Sequence, residues 1–172
     1  MRSLLPAVAI LLCLTGCGYH VAGQATHVPA NVRTMAVPMF VTNVQAYHTE
    51  VALTGAVIHE LNTRTPYRIS STENAADADA TLHGTVLTQS VAPLTYDSTT
   101  GQSSSFLVTI AARVVLTARD GHVLYQNPNY TFRQQYQVTQ DLTSFIQEDS
   151  PAVKRLARDF AQSLVSDMLE SF

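Results

Sequence analysis

Between Ala80 and Val138 the chain alternates between apolar and polar side chains, a period-2 pattern that confines this stretch to β-strands. In Ala80–Val91, Leu82, Gly84 and Val86 face one way, and Thr81, His83, Thr85 and Gln89 face the other. In Phe106–Ala118 the even positions (Phe106, Val108, Ile110, Ala112, Val114, Leu116) make an apolar face, and Thr109, Arg113 and Thr117 lie opposite. Thr95–Ser105 reads as a polar hairpin tip between these strands. Asp120-Gly121 reads as a two-residue hairpin turn that pairs Arg119 with His122. That register turns Val123 and Tyr125 to the core, yet after Pro128 the apolar set is even: Tyr130, Phe132, Tyr136 and Val138. A slip of one residue reverses every side chain, so one extra residue must be absorbed near Gln126–Asn129. Pro128 has no N–H to donate, and a bulge is predicted there.

Helical periods flank the strands. Residues Ala46–Arg64 carry Tyr47, Val51, Thr54, Val57, Ile58 and Leu61 on one stripe, and Pro66 ends the helix by forcing Thr65 out of the α region. Short apolar strands at Val32–Val37, stopped by Pro38, and at Tyr67–Ser70 bracket it, which makes a parallel βαβ opening. Ser150 as N-cap and Pro151 as first helical residue start a closing helix. Its apolar stripe is Val153, Leu156, Ala157, Phe160, Leu164, Val165 and Met168. Asp141–Glu148 adds room for a short preceding turn. The expected fold is α+β: a two-layer sandwich with two amphipathic helices on one face of a roughly four-stranded, mainly antiparallel mixed sheet.

The N-terminus has a different logic. Arg2 gives a positive start, Leu4–Leu12 an apolar run, and Leu14-Thr15-Gly16-Cys17 a lipobox with Leu at −3 and a small residue at −1. The run is shorter than the ~20 residues of a spanning helix, so it reads as a removable signal. Cys17 is then the lipidation site, where two or more acyl chains anchor stably at ~0.8 kcal/mol per buried CH₂. The plainer alternative is an ordinary secretory signal with an incidental cysteine. The division expected is a signal peptide over 1–16, a lipidated tether over 17–31, and one domain over 32–172.

Composition narrows the function. Cys13 leaves with the signal and Cys17 is modified, so no thiol remains for a disulfide and packing must supply stability. Ten basic residues less Arg2 against thirteen acidic ones give the mature chain a net charge of −4. A single lysine, Lys154, and no basic run argue against nucleic acid or a polybasic membrane patch. His59-Glu60 begins like a zincin helix, but Thr63 stands where the second histidine must be. The other histidines show no ligand spacing, and no nucleophile elbow, P-loop or dinucleotide glycine pattern occurs. Asp77 and Asp79 read as a solvated strand entry, and Asn129-Tyr130-Thr131 as an idle sequon. No catalytic residue, metal or cofactor is expected. What remains is the sheet face away from the helices: Thr81, His83, Thr85 and Gln89, then Thr109, Arg113 and Thr117, then Thr131, Arg133, Gln135 and Gln137. It reads either as a plain solvated face or as a hydrogen-bonding surface whose Arg113 and Arg133 suit phosphate or carboxylate.

Cys17-Gly18-Tyr19-His20, Val28-Pro29, the Val32–Val37 strand ending in Pro38, Arg64-Thr65-Pro66-Tyr67-Arg68, Ala78-Asp79-Ala80-Thr81-Leu82-His83-Gly84 and Gly121-His122-Val123-Leu124 come in an order that resembles the LPS-assembly lipoprotein family (LptE). The likeness extends from the Glu50–Arg64 helix to the Arg155–Leu169 closing helix. It implies a lipoprotein at the periplasmic side of the outer membrane, set as a plug in a large LptD-like β-barrel, helping to assemble it and binding lipopolysaccharide. Gly18 after Cys17, in place of a retaining Asp, agrees with outer-membrane sorting. A polar barrel lumen suits a threonine-rich face, and the Tyr96–Gln102 tip has the reach to enter one. Tyr96, Asp97, Arg113 and Arg133 are the expected partner- or glycolipid-binding residues. Two other readings stay open: an adaptor docking onto another envelope or lipid-transport complex, and a hydrolase gathering His83 or His59 with carboxylates.

Overall fold

Three long strands dominate the molecule: β4 (Ala80–Tyr96), β5 (Ser103–Ala118) and β6 (Val123–Gln137), joined as antiparallel hairpins. The computed structural model describes residues 28–44, 48–72, 78–96, 98, 103–137 and 151–169. Before the long strands come β1 (Thr34–Ala36), β2 (Val41–Thr42), helix α1 (Thr49–Arg64) and β3 (Arg68–Ser70); helix α2 (Pro151–Leu169) follows them. The sheet has six strands in the order β3-β1-β4-β5-β6, with β2 also on β4. Two helices on a mixed, mainly antiparallel sheet make the expected α+β class, with more strands than the four anticipated. β2 has only two residues, too few for a period to register.

β1 and β3 lie parallel with α1 between them, as the βαβ reading required. Thr65 is extended (φ −126°, ψ 154°), in keeping with the bar Pro66 places on its α region. The buried side of α1 is Thr49, Leu53, Thr54, Val57 and Leu61, so the expected stripe is rotated. Val51, assigned to the core from its spacing, is 46% exposed. Thr54 accounts for part of this: its hydroxyl accepts from the Phe40 N–H and donates to the Glu50 carbonyl, fixing which side of α1 meets the sheet. Tyr47, Ser150 and Asp141–Glu148 lie outside the described residues.

All seven apolar positions expected on α2 are buried. Phe160 sits at their centre, edge-on to Phe40, Tyr130 and Phe132 at 6.1, 5.6 and 5.7 Å. Truncating a phenylalanine packed in this way costs about 3–5 kcal/mol. The Phe40 ring also lies over Gly84, in the space where a Cβ would stand. Arg64 at the end of α1 donates to Ser166 near the end of α2 at 2.9 Å, so the two helices run in the same direction.

The predicted bulge is present. Ala112 pairs with Tyr130 and Val114 with Asn127, so Arg113 alone faces Pro128 and Asn129. The turn differs from expectation. Ala118 pairs with His122 around a three-residue loop, Arg119-Asp120-Gly121, with Gly121 left-handed at φ 86°. Gly121 supplies the positive φ, and Asp120 accepts from the His122 N–H at 3.0 Å. A second irregularity at Leu124 follows, between the Thr117–Val123 and Leu116–Tyr125 pairs. Leu124 and Tyr125 pack on the core, whereas Val123, expected inside, is 44% exposed.

A further bulge at Leu87 was not foreseen. Val86 pairs with Ala112 but Thr88 with Ala111, so the faces of β4 exchange beyond it. Gln89, expected on the open face, therefore turns to the helix side, where it meets the Thr49 hydroxyl at 2.6 Å. The segment expected as a loose polar tip is strand-paired out to Tyr96 and Ser103.

Candidate functional site: the uncovered sheet face

Both helices pack on one side of β4, β5 and β6, and no described element covers the other side. The register lays this face out in rows. His83 stands beside Val115, Thr85 beside Arg113, Thr88 beside Ala111, Ser90 beside Thr109 and Ala92 beside Leu107. On the far strand Thr131, Arg133 and Gln135 continue the last three rows. The threonine-rich character expected is present, with Thr88 in place of Gln89. Gln137 pairs with Ser105 at the end of β6.

Arg113 and Arg133 are both exposed on this face. Arg133 lies opposite Thr109, four positions along β5 from Arg113, a separation of about 14 Å at ~3.4 Å per residue. They share a surface but are too far apart for one phosphate group; each addresses its own. Tyr96 is 63% exposed at the end of β4, opposite Ser103. Asp97 and Cys17 lie outside the described residues. No Asp or Glu occurs in β4, β5 or β6. Among the described residues the face has two arginines, one histidine and no carboxylate to repel an anion.

Toward Tyr96 the strands run past the helices, and side chains on both sides meet solvent. Val91 and Leu94 are each about half exposed here. Phe106 and Tyr136 stack across β5 and β6 at 5.6 Å, with an interplanar angle of 20°. The result is an arm with apolar flanks.

At the opposite end sits a residue read as merely solvated. Asp79 accepts from the Arg33 N–H (2.9 Å), the Thr34 N–H (3.0 Å) and the Thr34 hydroxyl (2.9 Å). Its other oxygen meets Arg119 at 3.5 Å. The Arg33 amide, then the Thr34 hydroxyl and amide, hold its carboxyl below the usual range. One side chain thus ties β1, the start of β4 and the β5–β6 turn together. A second polar chain runs from Tyr125 to Tyr130 to Asp167 on α2, the last link at 2.6 Å. Burial, then the Asp167 acceptor, pushes the Tyr130 phenol well up, so Tyr130 remains a neutral donor. Neither contact has a local sequence signature, since each joins residues far apart in the chain.

Histidines expected at a hydrolytic site are kept apart: His83 is on the open sheet face, His59 on the outer side of α1 beside Glu60. Among the described residues no three His, Cys, Asp or Glu gather as a metal site. No helix among them is long and apolar enough to cross a membrane.

Comparison with known proteins follows the same lines. The family model for lipopolysaccharide assembly, LptE, matches residues 32–168. Curated protein sequences give no match. Among solved structures, lipoprotein B of Nitrosomonas europaea superposes with a TM-score of 0.53 at 13% identity, covering 88% of this chain and 90% of that one. The PelC dodecamer protein of Paraburkholderia phytofirmans gives 0.54 at 12% identity, over 83% and 93% of the two chains. Rare lipoprotein B of Shewanella oneidensis gives 0.50 at 13%, over 77% and 92%. At such identities the likeness is one of fold.

Proposed function

Because this chain belongs to the lipopolysaccharide-assembly family LptE, a non-enzymatic family, we propose that it plugs an LptD-like outer-membrane β-barrel and binds lipopolysaccharide during delivery to the cell surface. A role in lipopolysaccharide assembly follows from the family; the plug and the ligand are the finer reading. In this reading the signal peptide ends at residue 16, acyl chains on Cys17 hold the tether at the periplasmic side of the outer membrane, and the domain from residue 32 does the work.

The observation that carries the reading is the open face of β4, β5 and β6, rich in threonine and glutamine and, among the described residues, without a carboxylate. A barrel lumen is polar, and a surface of threonine hydroxyls and glutamine amides satisfies it without burying unpaired charge. Phosphate groups on a glycolipid would meet Arg113 and Arg133 without repulsion from nearby acids. Tyr96 stands at the end of the arm, and Asp97 is the next residue in the sequence. Its apolar flanks at Val91 and Leu94 suit the acyl part of the same ligand.

The test is charge reversal at Arg113 and Arg133, with Tyr96→Ser as a separate variant. Each lost charge-assisted hydrogen bond is worth about 1.5–3 kcal/mol, so lipopolysaccharide affinity should fall about ten-fold or more per arginine. Barrel co-purification and outer-membrane barrier function are read in parallel. If binding, co-purification and barrier all match wild type, this face is not the working surface.

A further inference from the structure

The outer side of the helix layer carries a groove that the sheet-face reading does not use. It lies between α1 and α2 and has a volume of about 280 Å³, at the small end of ligand pockets, which run from about 300 to 1,000 Å³. Ala52 and Ala56 of α1 and Ala157 and Ala161 of α2 line it, and the half-exposed Val51 adds an apolar wall. The charged and titratable lining is His59, Glu60, Lys154 and Arg158. Glu60 is engaged by Arg64 at 3.4 Å, so its charge is offset from outside the groove. Arg158, one helical turn from Lys154 on α2, then gives the groove its sign.

Shape chooses among anionic occupants. From Ala52 to Glu60 is about 12 Å at 1.5 Å per residue. A helix with its side chains is about 10–12 Å across and is too thick for this volume, whereas one extended alkyl chain fits along the alanines. We propose that the groove binds a medium-chain fatty acid, its carboxylate at Arg158 and its chain on the alanine floor. Four alanines and an exposed valine provide contact without the bulk that would close the space. The cations provide the preference for an acid over an alcohol. This site is independent of the sheet face, so charge reversal at Arg113 and Arg133 should leave it intact.

Photoreactive decanoic acid, added to the full-length lipoprotein in phosphatidylcholine vesicles, tests the assignment. Saturable labelling of peptides covering residues 51–60 and 154–161 is expected, and about ten-fold less with the corresponding decanol probe. Ala56→Leu should block labelling by filling the floor. Arg158→Glu, at an exposed position on α2, should lower it about ten-fold and keeps the test decisive where the leucine variant fails to fold. Labelling that does not saturate, or that survives Arg158→Glu unchanged, overturns the proposal.

Discussion

Asp79 shows how much one side chain can organise when it replaces backbone partners. Arg33 and Thr34, where the chain enters β1, need acceptors for their N–H groups, and this carboxylate supplies them at the corner where β1, β4 and the β5–β6 turn meet. A group held below its ordinary range binds fewer protons folded than unfolded, so stability rises with pH across that interval. The contribution is complete above the unfolded value of about 3.9 and is lost as pH falls through the lowered folded value. Asp79→Asn should therefore lower the urea midpoint at neutral pH and narrow the wild-type gap as the solution is acidified toward pH of about 3. A gap that stays constant between those conditions would show that the carboxylate's charge contributes nothing.

Among the elements, β6 depends on one extra residue. The bulge at Pro128–Asn129 lets Tyr130, Phe132 and Tyr136 reach the helix side after the irregularity at Leu124 has set the opposite phase. Deleting Asn129 removes the residue the bulge absorbs and should leave a continuous ladder with all three rings still on the helix side. That variant is expected to keep a cooperative thermal transition in circular dichroism, whereas deleting Thr131 puts Tyr130 and Phe132 on opposite faces and should lower the midpoint. Pro128→Ala retains the residue count and should fold. Equal unfolding curves for the Thr131 deletion and wild type would mean the register is fixed elsewhere. This bulge was legible because two phases of alternation collide around a proline. The one at Leu87 was not, since Val86, Leu87 and Thr88 include no glycine or proline and all suit a strand; Gln89 was misplaced in consequence. The rotation of α1 was hidden for a related reason: Thr54 takes a partner on the distant Phe40 backbone, which no helical period contains. The open face itself was readable from alternation, whereas the Asp79 and Tyr130–Asp167 contacts, made at 45 and 37 residues' separation, were not.

Across the whole molecule, charge and cover are unevenly shared. Every acidic residue of the chain lies outside β4, β5 and β6, although those strands form most of the sheet. β1 and β2 pair with β4 only as far as Val86, and the Phe160 cluster lies under the same half. Amides from 88 to 96 should therefore exchange with deuterium about ten-fold faster or more than those from 80 to 86, as expected where cover and pairing are thin. Hydrogen-exchange mass spectrometry on the lipoprotein alone reads this directly. Uniform protection along β4 would show that its outer half has another partner within the chain. Repeating the measurement with the barrel present should slow the outer half selectively if the arm is engaged there.

The kink at Pro128 also bears on how such a gene can change. Losing or gaining a single codon after it would invert the greasy side of the rest of the final strand, so drift in length is barred along that stretch. Between positions 97 and 102, which link the last paired residues of β4 and β5, the same event leaves every ring in place. Lineages descended from this ancestor should record their insertions in that link and almost nowhere along the three long strands.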